Sequence, residues 1–348
     1  MFSGKTVRLV GQRGVSEAAE ILRGGGTVAF PTETVYGLGA NALDPAAVGK
    51  IFLAKERPRW DPLIVHVCDR DMLQRVAVVS AAAEALMETF WPGPLTLLLP
   101  RTAMVPDVVT AGRELVGVRM PGHPIALQLI RAAGVPVAAP SANRFGRTSP
   151  TTAAHVLEDL DGRIDAVLDG GATTVGVEST VIGPSDDGLG WVLYRPGGVT
   201  KEMLEAVSGV GVVGVVQPVI TAAQAPESLP SPGLGIRHYA PRARLVLVAG
   251  LSRRTGTLED GLVAAIEDAF ADDGKTGVML PHDWNGSNAP LVYRWGSWND
   301  GEALARRLFA GLRELDEAGA TVIVCPVPEM GGIGAAMRDR LEKAARTK

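Results

Sequence analysis

Apolar residues fall into two textures along this chain: short unbroken runs, and longer stretches whose apolar positions recur at helical spacing. The helical stretches in the first part are Val15–Arg23, Pro45–Lys55, Ala81–Phe90, Ile125–Ala133 and Thr151–Leu160. Asp44 stands as N-cap to the second of these, with Pro45 at its first position. Gly24–Gly26 ends the first, and "WPGP" stops the third. Between them lie strand-like runs: "TVAF", "PLIVHV", "LTLLLP", "VGVRMP", "VPVAA", "AVLDGG", "ESTVIG" and "WVLYRPG". Strands and helices mix throughout, which predicts an α/β fold with an at least partly parallel sheet.

The texture changes after a short helix at Lys201–Val207. Gly209–Ile220 is rich in glycine and valine, and the segment to Arg244 is rich in proline, alanine and serine. A second alternation follows. "RLVLVAG", "GVMLP", "LVYRWG" and "TVIVCPV" read as strands, and Leu258–Ala271, Gly301–Glu317 and Gly334–Ala345 as helices. That order predicts a small doubly wound domain. The expected division is a first domain over 1–210, a linker over 211–240 and a second domain over 241–348.

Composition narrows the class. The chain has 348 residues, enough for two domains, with 46% hydrophobic and 21% charged residues, a globular balance. The net charge of -4 argues against non-specific nucleic-acid binding as the main role. Cys68 and Cys325 are the only cysteines and lie far apart, so neither a disulfide framework nor a cysteine zinc site is expected. The N-terminus lacks an apolar signal core and no run is long enough to span a bilayer, so a cytoplasmic protein is expected. Two nucleotide-loop patterns are decoys. "GVGVVG" at Gly209–Gly214 has a helix before it, where a dinucleotide fingerprint needs a strand. "DDGKTG" around Lys275 lacks the first glycine of a P-loop and reverses its strand-to-helix order.

The chemistry concentrates in the first domain. "VAFPTET" and "VPVAAPSAN" share one plan: an apolar strand, a proline that ends pairing, then hydroxyl and amide side chains. Two roles are open for Thr32, Thr34 and Ser141: capping the next turn, or lining a cleft beyond the strand ends. The repetition of the plan favours the cleft. "AKERPRW" sets Lys55, Arg57 and Arg59 at a helix C-terminus, where cations suit the dipole but also suit a polyphosphate. Arg119 and Arg195 end or interrupt apolar segments, so each needs an anionic partner, either a structural carboxylate or a ligand. A single strand histidine such as His66 is ordinarily a hydrogen-bonded core or surface residue, and no second ligand forms a metal site with it. Ser179 and Thr180 suit strand pairing or ligand contact. No G-x-S-x-G elbow or Ser-His-Asp order is present, so cations and hydroxyls point to phosphate chemistry by positioning and electrostatics.

Taken together, "FPTETVYGLG", Lys55-x-Arg57, Ser141-x-Asn143, "ESTVIG" and "RPGG" resemble the YrdC/Sua5 family of threonylcarbamoyl-AMP synthases. The motifs come in the family's order over residues 15 to 200, and "SPGLGIRHYAP" with the following α/β segment resembles the longer, two-domain Sua5 form. The resemblance implies a twisted, mixed, open N-terminal sheet of YrdC type and a smaller Rossmann-like Sua5 domain. It implies a nucleotidyltransferase that joins L-threonine, bicarbonate or CO2 and ATP, with Mg²⁺, into threonylcarbamoyl-AMP and pyrophosphate. A separate transferase then modifies tRNAs reading codons that start with A, which leaves both direct and indirect contact with tRNA open. By the same resemblance Lys55 and Arg57 are catalytic and, with Ser141, Asn143 and Arg195, hold ATP. Thr32, Tyr36, His66, Arg119 and Ser179 hold threonine, and Arg237, His238 and Tyr239 belong to a lid. Many family members carry glycine where this chain has Glu56, which either weakens phosphate attraction or points away. Glu33 has three open roles: substrate contact, metal contact through water, or partner to an arginine.

Two other readings compete. A double-stranded RNA or tRNA-binding module is disfavoured by the acidic charge and the lack of aromatic-basic interleaving. A carbamoyl transferase of related fold would carry extra zinc-finger, acylphosphatase or kinase-like segments, and no cysteine pairs are present to build the first.

Overall fold

The computed structural model describes residues 4–185, 190–207, 212–213, 228–231, 238–249, 260–271, 275–284 and 289–346. Arg237, most of the expected linker and Leu258 lie outside the described residues. The chain divides into two compact units. The first is Met1–Phe145, Ser149–Thr174 and Glu178–Gly235; the second is Gly146–Thr148, Val175–Val177 and Ile236–Lys348.

The first unit runs β1 (Val7–Val10), α1 (Gly11–Arg23), β2 (Val28–Pro31), β3 (Tyr36–Asn41), α2 (Pro45–Lys55), β4 (Ile64–His66), α3 (Arg70–Val76) and α4 (Ala81–Phe90). It continues through β5 (Leu95–Pro100), α5 (Asp107–Thr110), β6 (Leu115–Arg119), α6 (Pro124–Ala133), β7 (Val137–Ala138), α7 (Ala153–Leu160) and β8 (Ala166–Asp169). β9 (Thr180–Pro184), β10 (Trp191–Arg195), α8 (Lys201–Glu205) and β11 (Val212–Val213) complete it. The strands form one mixed sheet in the order β1-β8-β2-β3-β7-β4-β6-β5-β9-β10-β11. β3 pairs antiparallel with both β2 and β7, so those two run the same way. β4 and β6 are parallel to each other and antiparallel to β7. The site residues that end β4 and β6 therefore sit on strands running opposite to those that carry the two proline stretches.

Local chemistry explains the elements. Asp44 accepts the Ala46 amide at 2.9 Å ahead of Pro45, and Thr152 caps α7 through the His155 amide at 3.2 Å. Phe30, Leu38, Val65, Leu97, Val118 and Leu129 are fully or almost fully buried in a continuous core, each contributing about 1.5–3 kcal/mol. The glycine-rich "YGLGAN" forms β3, which the apolar pattern does not announce. Its glycines answer to packing: a Cβ on Gly39 would fall 2.7 Å from Val137 Cγ1 and 2.8 Å from Phe30 Cε1.

The second unit holds β12 (Arg244–Val248), α9 (Asp260–Ala271), β13 (Thr276–Leu280), β14 (Leu291–Arg294), α10 (Gly301–Glu317), β15 (Val322–Pro326) and α11 (Gly334–Ala345). Its four strands are all parallel, in the order β12-β15-β13-β14. The β12-to-β13 and β14-to-β15 crossovers travel in opposite directions across the sheet. Right-handed connections then put α9 and α10 on opposite faces, as expected of a doubly wound fold. Lys275 directly precedes β13, where a P-loop would lead into a helix; the part of that sequence before it lies outside the described residues.

Candidate active site

The two proline stretches lie side by side. Leu38 donates its amide to Pro140 O at 2.8 Å, Ala142 donates to Tyr36 O at 2.8 Å, and Gly37 bridges Ser141. The start of β3 is thus the seam between "PTET" and "PSAN". Within the first stretch Thr32 organises the turn: its hydroxyl donates to Val35 O at 2.7 Å and accepts the Thr34 amide at 3.2 Å. The capping role is therefore filled at Thr32. Thr34 Oγ1 lies 2.8 Å from Thr32 Oγ1 and accepts Arg119 Nη1 at 2.9 Å.

Arg119 gathers this wall. Its Nη2 lies 2.6 Å from Glu33 Oε1, and its Nε donates to Gly93 O at 3.1 Å. Burial pushes the Glu33 carboxyl up, but the Arg119 guanidinium and backbone hydrogen bonds, Gly122's above all, together outweigh it and hold the pKa below the ordinary value. Of the three roles open for Glu33, the structure shows the arginine partnership. "WPGP", read from sequence only as a helix stop, also ties strands together. Gly93 exchanges bonds with Arg119 and Met120, while Pro94 O accepts the Thr180 amide at 3.0 Å. This brings the Arg119 cluster beside a second one. There Ser179 Oγ meets Thr96 Oγ1 at 2.8 Å and accepts Arg195 Nη2 at 3.0 Å, while Arg195 Nε donates to Ser179 O.

The cation motif ends α2. Lys55 is buried, and its ammonium donates to Ser141 O at 2.5 Å and to Asn143 O. The lysine and the "PSAN" loop thus form one cluster, closed by the Phe145 amide on Lys55 O at 2.8 Å. Burial, with Arg57 alongside, lowers the lysine pKa well below its ordinary value. Arg57 pairs with Asp61 at 2.9 Å, donates to Pro62 O at 2.8 Å and lies over the Phe145 ring. Arg59 is exposed. Glu56 adopts φ 55°, the left-handed conformation that glycine takes most easily. Its carboxylate is matched by Arg144 and, at 2.7 Å, Arg163, whose hydrogen bonds lower its pKa.

His66 pairs in register with Arg119 and is buried edge-on to Phe30. Burial and Arg119 drive its pKa down to about 3, so the ring is neutral at physiological pH. Its Nδ1 is buried with no hydrogen-bond partner among the described residues. Tyr36 is fully buried, and its hydroxyl donates to Gly171 O at 2.7 Å and accepts the Gly170 amide at 3.2 Å. Burial raises its pKa, so it stays a phenol. Sequence reasoning missed Ser149 and Glu178, both buried, whose side chains hydrogen-bond each other. The signal was a glutamate inside the apolar "GVESTVIG". Of the lid residues, His238 and Tyr239 are described and belong to the second unit.

A family model described as "Telomere recombination" (Sua5, YciO, YrdC) matches residues 20–197, and one described as "Threonylcarbamoyl-AMP synthase, C-terminal domain" matches residues 199–346. The chain belongs to the two-domain Sua5 family. It is 44% identical over 332 residues to the threonylcarbamoyl-AMP synthase of Pyrococcus abyssi, covering 94% of this chain and 93% of that one. It is 43% identical to the Bacillus subtilis (strain 168) enzyme of the same name, covering 95% of this chain and 92% of that one. Among solved structures, P. abyssi Sua5 complexed with L-threonine superposes with a TM-score of 0.86 at 39% identity, covering 98% of this chain and 97% of that one. Like the other Sua5 proteins, this chain is an enzyme of the nucleotidyltransferase kind. No described helix is long and apolar enough to cross a membrane.

Proposed function

We propose that the first unit joins L-threonine, bicarbonate-derived CO2 and ATP into threonylcarbamoyl-AMP, releasing pyrophosphate. The observation that carries this is the adjacency of two clusters: Lys55 with Ser141 and Asn143, and Arg119 with Thr34, across the β3 seam. One suits a polyphosphate and the other an amino acid carboxylate. The name and threonine complex of the similar Sua5 proteins support the same pairing.

In this reading the threonine amine adds to CO2 and loses a proton, giving a carbamate. A carbamate oxygen attacks the α-phosphorus, a new P–O bond forms, and the bond to the β-phosphate oxygen breaks with pyrophosphate as leaving group. Anion meets polyanion, so catalysis rests on fixed positive charge and positioning rather than on a general base. Lys55, Arg57 and Arg195 serve the phosphates, with Ser141 and Asn143 on the nucleotide. Thr32, Tyr36, His66, Arg119 and Ser179 form the threonine side. His66 Nδ1, buried with no hydrogen-bond partner among the described residues, suits a substrate hydroxyl, since an unsatisfied buried group costs about 1–3 kcal/mol. Mg²⁺ is taken as part of the substrate, carried on the triphosphate. The lid expected around Arg237, His238 and Tyr239 falls largely on residues 232–237, outside the described residues. The product passes, in the cytoplasm, to a transferase that modifies tRNA.

Pyrophosphate release measured across the amino acids tests this. Release that needs both threonine and bicarbonate is expected; equal release with every amino acid, or none with threonine, overturns it.

A further inference from the structure

Ser179 directly precedes β9 and Arg195 ends β10, and the residues after them lock those two strand ends together within the first unit. β9 and β10 pair antiparallel, with Leu193 opposite Ile182 and Arg195 opposite Val181. Two steps along β10 thus match one along β9, so Tyr194 is the extra residue of a bulge. Bulges re-aim side chains, and the Arg195 guanidinium reaches back to the Ser179 hydroxyl and carbonyl, each at 3.0 Å. Past the bulge, Pro196–Val199 leads into α8.

That short link is pressed onto the backbone around Ser179. A Cβ on Gly197 would fall 2.3 Å from the Thr180 nitrogen, 2.5 Å from Glu178 O and 2.5 Å from the Ser179 carbonyl carbon. All three are main-chain atoms that cannot swing aside, so only glycine fits without moving the segment. Two residues on, Val199 binds one side chain with both of its main-chain groups. The Thr180 hydroxyl donates to Val199 O and accepts the Val199 amide at 3.0 Å. Its single proton is thus committed within the protein. Thr180 is fully buried, and its own amide is fixed to Pro94 O at 3.0 Å.

We propose that Thr180 and Gly197 are positioning residues that clamp the Arg195 loop onto the Ser179 segment, so that the carbamate and the α-phosphorus meet in a reactive alignment. This rests on the substrate assignment above, which places Ser179 on the threonine side and Arg195 on the phosphates. The remaining contacts of each side, Arg119 with Thr34 and Lys55 with Ser141 and Asn143, lie outside the clamp. Loss of the clamp therefore spares binding and spoils alignment, which is the step most sensitive to a small displacement.

The test compares full-length Thr180→Val, which keeps the shape and removes the hydroxyl, with Thr180→Ser, which keeps the hydroxyl, and with Gly197→Ala. Calorimetric titration with threonine counts the folded sites, and steady-state pyrophosphate release with each substrate varied in turn gives kcat per site. Thr180→Val and Gly197→Ala should lower kcat per site by about ten- to a hundredfold, with KM for ATP and for threonine each within about threefold of wild type. Thr180→Ser should stay within about threefold of wild type in all three values. A merely structural role would lower the number of threonine-binding sites and leave kcat per site unchanged, and that result overturns the proposal. A loss confined to either KM, or a Thr180→Ser variant as slow as Thr180→Val, also overturns it. Should Gly197→Ala bind no threonine, Thr180→Val carries the test. Should Thr180→Val fail too, Thr180→Cys carries it, because a thiol hydrogen-bonds weakly: a kcat per site lowered severalfold supports the proposal and a wild-type value overturns it. If wild type releases no threonine-dependent pyrophosphate, the substrate assignment fails instead.

Discussion

Replacing Arg119 with leucine removes the guanidinium that links Glu33, Thr34 and Gly93. Both charges are almost fully buried, with side-chain exposures of 4% for Arg119 and 12% for Glu33. With charge centres about 4 Å apart and an effective dielectric of about 20, their attraction is about 4 kcal/mol. That agrees with the roughly 3–5 kcal/mol expected when one partner of a buried pair is removed. The loss arises chiefly because Glu33 stays buried without its charge partner, so its pKa should rise, burial then being opposed only by backbone hydrogen bonds such as that of Gly122. Arg119→Leu with Glu33→Gln removes the stranded charge and should recover about 2 kcal/mol. Urea unfolding at pH 7 gives the stabilities. Hydrogen exchange of peptides covering Val28–Asn41 and Leu115–Arg119 assigns the loss to the first unit, which matters because two compact units need not unfold together. Neither variant should bind threonine, so stability recovers while binding does not. An Arg119→Leu protein within about 1 kcal/mol of wild type, or a double variant no more stable than the single, would refute the assignment.

Lys55→Ala should lower kcat by about a hundred- to a thousandfold in the pyrophosphate assay, as for loss of one preorganised charge-stabilising group; activity within fivefold of wild type contradicts its role. Glu56→Gly should change stability by less than about 1 kcal/mol, because relief of the left-handed conformation offsets two solvent-exposed ion pairs; a thermal melt checks this, and kcat should be unaffected because Arg144 and Arg163 already match the carboxylate. Acid should destabilise the first unit. His66 titrates near 3 when folded against 6.5 ordinarily, so between those values the unfolded chain binds the extra proton, and stability of roughly 4–5 kcal/mol is lost as pH falls through that window. Glu33, also lowered, acts in the same direction below about pH 4.5. Urea midpoints from pH 7 to 4 should fall for wild type and fall less steeply for His66→Phe.

Much of this was legible in the sequence because local signals agreed with the fold. Asp44-Pro45 fixed the start of α2, and the helical stretches Gly301–Glu317 and Gly334–Ala345 coincide with α10 and α11. β3 was hidden because its glycines serve packing and leave no apolar alternation to read. β1, α3 and α5 are short, and their stability comes from neighbours rather than from a periodic pattern of their own. At the site, the residue types were visible and their partnerships were not. Nothing in "AKERPRW" says that Lys55 reaches the Ser141 and Asn143 carbonyls or that Arg57 turns to Asp61, since both depend on how loops meet in space. Glu33 could not be assigned until β6 placed Arg119 beside it. The membership of Gly146–Thr148 and Val175–Val177 in the second unit is likewise invisible to a reading that divides the chain at linkers.

The most direct measurement is the mass of the nucleotide product formed from L-threonine, ATP and ¹³C-labelled bicarbonate. The expected product joins AMP, threonine and one carbon from bicarbonate, and therefore carries the label. An unlabelled threonyl adenylate, or AMP with no threonine attached, would contradict the chemistry assigned to this site.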